Sequence, residues 1–159
     1  MRSSTTPIVV TSPTPKTEPT TTVPADWKRV EVADKFVFYM PADMKTTEPI
    51  GDYYGPHVDY ANRQLMWNYQ YASVDLCRSI EWMSKDPTHR ETELYIDGKK
   101  AKVDTWTATS TGHYYITACL SDIDGLGTHL HLGAVSKEQP ALEVARQIFS
   151  SIQFRKGAT

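Results

Sequence analysis

Residues 93–106 read Glu93-Leu-Tyr-Ile-Asp97-Gly98-Lys-Lys-Ala-Lys-Val-Asp-Thr-Trp106, two strand-like runs on either side of Asp-Gly. Asp-Gly suits a type I′ turn, in which both central residues take positive φ and the strand twist continues through the hairpin. The alternation spreads in both directions. Downstream, Tyr114, Ile116, Ala118 and Leu120 form one face of a strand, and Leu130, Leu132 and Ala134 form the matching face of its return, with Asp122–Thr128 turning the chain through Gly125 and Gly127. Upstream, Leu65, Trp67, Tyr69 and Tyr71 share one face while Met66, Asn68 and Gln70 share the other. A further strand is expected at His57–Ala61. Trp27–Val32 alternates as well, and after a break at Ala33-Asp34-Lys35 the run Phe36–Met40 answers it as an N-terminal hairpin.

Two stretches interrupt the strands. Residues 41–56, rich in Pro, Gly and Asp, read as a long loop. Residues 73–85 are ambiguous. Leu76, Ile80 and Met83 have helical spacing, whereas Val74, Leu76, Ile80 and Trp82 fit a strand period with one gap. The C-terminus gives the clear helix, over residues 138–151. Leu142, Ala145, Ile148, Phe149 and Ile152 make one apolar stripe, with Ser136 and Gln139 as an expected capping box and Pro140 in the first turn. Ile152-Gln-Phe154 follows as a short edge strand. The fold class expected is α+β: a mostly antiparallel sheet with one or more helices packed on it, including an amphipathic C-terminal helix.

The first 25 residues differ in kind, with five Pro, eight Thr and three Ser. Proline at such density blocks helix and sheet, so residues 1–25 are expected to be a disordered Thr/Pro-rich stalk or linker. The single folded domain then covers residues 26–156, long enough to build a core without metal or disulfide support. Composition is 40% hydrophobic and 23% charged, with Lys+Arg 17 against Asp+Glu 19. A net charge of −2 supplies no general attraction for nucleic acid. No apolar run approaches the roughly 18 residues of a transmembrane helix, and Met1-Arg2 is not followed by the apolar stretch of a signal peptide.

The order of elements resembles that of the plant photosystem II extrinsic protein PsbP and its bacterial secreted or lipoprotein relatives. The resemblance spans about residues 27–155 and rests on the Ile-Asp-Gly-Lys-Lys-Ala hairpin and on Ile148-Phe-Ser-Ser-Ile-Gln-Phe154, a helix end running into a strand. It implies the fold and an extracytoplasmic bacterial address, periplasmic or at the cell surface. A lipid tether in the native precursor and a signal peptide outside this chain go with it. It carries no catalytic signature. The function expected is a non-enzymatic accessory or binding module of the cell envelope, needing no cofactor, whose partner is a protein or a small ligand.

Three groups of side chains are candidates for chemistry. Tyr53, Tyr54 and Tyr60 are aromatics with polar tips in or beside the Gly/Pro loop, suited to rimming a ligand or partner surface. His129 and His131, two apart on one strand, point the same way. If Leu120 faces Leu130, His131 comes near Cys119, with Asp122 and Asp124 at the turn. That grouping supports an alternative reading as a small metal-dependent hydrolase, against a polar outer sheet face with no metal. His113 falls at the far end of the strand. Cys77 and Cys119 form one disulfide or remain two reduced thiols, and the bridge would add about 4 kcal/mol at most. G-x-S-x-G, CxxC and P-loop patterns do not occur in the sequence.

Overall fold

A computed structural model of the chain describes residues 22–48, 55–78 and 81–156. Tyr53 and Tyr54, most of the Thr/Pro stalk and part of the ambiguous 73–85 stretch fall outside them. Residues 22–26 form neither strand nor helix.

The strands are β1 (Trp27–Val32), β2 (Phe36–Pro41), β3 (Lys45–Thr47), β4 (His57–Ala61), β5 (Met66–Ala72), β6 (Arg90–Ile96), β7 (Lys99–Thr107), β8 (Tyr114–Leu120), β9 (His129–Ser136) and β10 (Gln153–Phe154). Among the described residues two helices accompany them, a single turn α1 (Glu81–Ser84) and the longer α2 (Ala141–Ser150). Every strand pairing is antiparallel. The strands divide into a three-stranded sheet, β1-β2-β10, and a seven-stranded sheet, β3-β4-β5-β9-β8-β7-β6. Mostly antiparallel sheet with one substantial helix is therefore the architecture.

The β6–β7 hairpin turns at Asp97 and Gly98, whose φ values of 47° and 76° are those a type I′ turn demands. On the large sheet, Trp67, Tyr69, Ile116, Ala118, Leu120, Leu130, Leu132, Val103 and Ala101 all point to one buried face. The small sheet closes over that face. Phe38 meets Trp67 edge-on with ring centroids 4.9 Å apart, and Phe36 meets Tyr69 at 5.4 Å. Helix α2 fills the rest with buried Leu142, Ala145, Ile148 and Phe149 and packs against β2, β6, β8 and β9. Ser151 fastens the helix end to β2: its Oγ donates to the Ile148 carbonyl at 2.6 Å and accepts the Tyr39 N–H at 2.9 Å.

The structure corrects several sequence expectations. The helix begins at Ala141, not residue 138, because Ser136 is still the last residue of β9. Its hydroxyl donates to the Gln64 carbonyl at 2.6 Å and accepts the Glu138 N–H, so no capping box forms with Gln139, and Pro140 takes the N-cap place without a side-chain cap bond. The 41–56 loop contains β3, an edge strand whose Lys-Thr-Thr sequence is exposed throughout and carries no hydrophobic alternation. Between residues 73 and 85, the described helix is confined to the one turn of α1.

Candidate functional site

The inner face of the large sheet is apolar; its outer face is not. Strand register places His57, Gln70, His131, Cys119 and Lys102 side by side across β4, β5, β9, β8 and β7. The next row runs Asp59, Asn68, Gly133, Thr117 and Asp104. Parity alone aims all of these residues away from the aromatic core. Gly133 leaves the middle of the second row open, since a Cβ there would sit 3.1 Å from Asn68 Oδ1.

Two carboxylates on this face are buried, Asp59 at 4% and Asp104 at 7% exposure. A buried carboxylate requires partners. Asp104 has His89, whose Nε2 lies 2.7 Å from its Oδ1, and Lys102, whose Nζ is 3.7 Å from its Oδ2. Asp59 Oδ2 accepts no hydrogen bond and faces His57 Nε2 at 3.9 Å. Burial pushes His131 below the ordinary histidine range, and the Asp104 carboxylate pulls back against that shift. The imidazole is thus held neutral, with one ring nitrogen free to accept and one to donate.

After β5 the chain doubles back over this face as a strap, residues 73–78. Asp75 Oδ1 accepts the Cys77 N–H at 2.9 Å, folding the strap tightly, and Cys77 is bonded to Cys119 in β8 with Cα atoms 5.3 Å apart. Of the two sequence alternatives for the cysteines, the structure has the bridge. Strap and sheet together line an open cleft of about 360 Å³, bordered by Gln70, Val74, Asp75, Leu76 and His131. The Gln70 Nε2 donor is buried without a hydrogen-bond acceptor.

The candidate residues named from sequence are distributed differently from expectation. Tyr60 does not rim a surface. It faces inward at 5% exposure, stacks on Trp67 with centroids 5.1 Å apart, and its hydroxyl is held protonated by burial, with Tyr69 as its hydrogen-bonding neighbour. Its place in β4, directly opposite Trp67 in β5, gives it the core parity.

His129 and His131 do share the outer face, and Leu120 does pair with Leu130 and Cys119 with His131. The ring nitrogens of His129 and His131 do not come into common ligand reach with the carboxylates of Asp122 or Asp124. Asp122 Oδ1 accepts the Gly127 N–H, and Asp124 accepts from Leu126, Thr128 and Lys35, so both carboxylates are spent shaping the β8–β9 turn. His129 faces Asp75 instead, Nδ1 to Oδ1 at 3.7 Å, while the charge felt by His131 is that of Asp104. Among the described residues, the one cluster with ligand atoms in mutual reach is Asp75, Cys77 and His129, and it omits His131.

Sequence reading missed the buried Asp59 and Asp104. Their signal was present: each falls at the outward parity of a strand with a histidine in reach, His57 two residues before Asp59, and His89 two residues before Glu91, which pairs with Asp104 across β6–β7.

No protein-family model matches the chain, and no curated protein does. A solved structure from Bacteroides thetaiotaomicron VPI-5482 aligns with a TM-score of 0.47 at 13% sequence identity, covering 76% of this chain and 45% of that one. The chain thus spans less than half the length of that protein. Among the described residues, no helix is long and apolar enough to cross a membrane.

Proposed function

We propose that the protein is an exported, non-enzymatic binding module of the cell envelope, built on a PsbP-like domain with an amphipathic C-terminal helix, and that it holds a small polar ligand between the strap and the outer sheet face. One observation carries this reading: Gln70, whose Nε2 donor is buried without a partner, lines a cleft of about 360 Å³. An unmet buried donor costs about 1–3 kcal/mol, a cost removed when a ligand or water supplies the acceptor. The volume falls in the range of small-molecule sites, roughly 300–1,000 Å³. His131 and Asp75 add a neutral donor–acceptor and a carboxylate, while Val74 and Leu76 supply apolar walls.

The disulfide supports the address, because such bridges persist in oxidising compartments. The Thr/Pro stalk supports a tethered module standing off from a surface. Small molecules released on denaturing the protein purified from its native source, identified by mass spectrometry, test the binding reading. A polar compound enriched with the wild type and lost with Gln70→Leu is expected. The same small-molecule profile from both proteins would refute it.

A further inference from the structure

We propose that reduction of Cys77–Cys119 turns the strap anchor into a zinc site with Asp75, Cys77, His129 and Cys119 as its four donors. The positions are already set. One carboxylate oxygen of Asp75, Cys77 Sγ and a ring nitrogen of His129 all lie within 4.8 Å of one another. Cys119 Sγ is bonded to Cys77 Sγ and so occupies the same corner of the outer face. His129 Nδ1 is buried there without a hydrogen bond, facing Asp75 Oδ1 at 3.7 Å. An imidazole nitrogen left without a partner beside a carboxylate and two sulfurs has the donor chemistry of a structural zinc site.

While the bridge is intact the two sulfurs are not thiolates, and Asp75 and His129 alone are too few to hold zinc. A dithiol reductant breaks the S–S bond. Two electrons and two protons pass to Cys77 and Cys119, giving two thiols, and the reductant closes its own disulfide. Zinc then displaces both thiol protons to solvent and forms two Zn–S bonds, with His129 and Asp75 completing the tetrahedron. Tetrahedral zinc spaces its donors roughly 3.3–3.8 Å apart; Asp75 Oδ1 and His129 Nδ1 already sit 3.7 Å apart, while the two sulfurs have to part from bonding distance to reach that spacing. The strap is exposed at Val74 and Asp75, so neither of these side chains is locked in place by packing. Zinc would then keep the strap on the sheet once the covalent tie is gone. The inference does not depend on what occupies the Gln70 cleft.

The test compares the full chain in bridged form with the same chain reduced by a water-soluble phosphine, desalted anaerobically and incubated with zinc sulfate. Metal analysis after a second desalting should find one zinc per chain in the reduced protein and essentially none in the bridged protein. Cobalt(II) in place of zinc should give thiolate-to-cobalt charge-transfer absorption and tetrahedral d–d bands. His129→Ala should weaken zinc by at least the roughly 10–100-fold that loss of even an outer partner costs, while His113→Ala leaves affinity unchanged. His129→Gln, closer in shape, guards against misfolding of the alanine variant and should weaken zinc likewise. On reduced wild type, zinc should also slow alkylation of both thiols. Equal zinc in bridged and reduced protein, or unaltered affinity in both His129 variants, would overturn the proposal.

Discussion

Replacing both Cys77 and Cys119 by serine isolates what the bridge does for the fold. The bonded residues are 42 apart in sequence. Closing a loop of that length in the unfolded chain removes about 13 cal/mol/K of entropy, which is about 4 kcal/mol at 25 °C. That figure assumes the strap stays in place without the bridge. Its other holds on the sheet are modest: the Asp75–His129 contact at 3.7 Å, and a wall of the cleft from Val74, itself 46% exposed, and Leu76. A strap that frays when untied regains entropy in the native state, so the measured loss should fall below the full value, at about 2–4 kcal/mol. Urea unfolding followed by tryptophan fluorescence reads this directly. With a slope of about 2 kcal/mol/M, the midpoint should drop by roughly 1–2 M. Hydrogen exchange should show amides of residues 73–78 losing protection while those of β8 and β9 keep theirs. A loss under about 0.5 kcal/mol with strap protection unchanged would refute the reasoning, because a strap that stays in place without the bond should show the full loop-closure loss of about 4 kcal/mol.

Two titrating groups give opposite ends of the acid limb. His131 is held neutral by burial, so its folded pKa lies below the unfolded value of about 6.5, and the stability this gives is present above that value and declines as pH falls below it. His131→Gln should therefore flatten the difference in Tm between pH 7.5 and 5.5, and an unchanged slope would contradict the assignment. Burial works against ionisation of Asp124, but hydrogen bonds from Thr128, Leu126 and Lys35 prevail and hold its carboxyl at about 2. Its contribution is complete above the unfolded value of about 3.9 and is lost as pH falls through about 2, so Asp124→Asn should cost about 1–2 kcal/mol at pH 7 and only a small fraction of that at pH 2. Equal destabilisation by this variant at both pH values, measured by denaturant unfolding, would remove the turn carboxylate from the account.

Much of the large sheet was legible because its strands alternate cleanly. Leu65, Trp67, Tyr69 and Tyr71 declared the inner face of β5, and Asp97-Gly98 fixed the β6–β7 turn; together with the Leu120–Leu130 match they place His131 opposite Cys119 without coordinates. What escaped was decided by contacts distant in sequence. β3 is exposed at every residue, so only its pairing with β4 makes it a strand. Ser136 had the spacing of a capping residue, yet the Gln64 carbonyl, 72 positions earlier, takes its hydroxyl. The Asp75–Cys77–His129 cluster joins a strap to a strand more than fifty residues on, and no local pattern announces it.

The two faces of the seven-stranded sheet explain why polar groups tolerate burial here. On the inner face Trp67, Tyr69 and Tyr60 pack with Phe36 and Phe38 from the small sheet and with Phe149 from α2. Each such aromatic buries about 150–250 Å², so the hydrophobic stabilisation is concentrated on one side of the sheet. The outer face is thereby released from supplying it. It carries Asp59, Asp104, His57, His131 and Gln70 under partial cover, groups whose desolvation opposes folding unless each finds a partner. Asp104 finds His89 and Lys102; Gln70 Nε2 does not find one. The residue that carries this unsatisfied donor also lines the cleft, and the Cys77–Cys119 bond fastens the strap that forms its other side. That combination, rather than any single residue, is what the proposed ligand-binding reading of the outer face rests on.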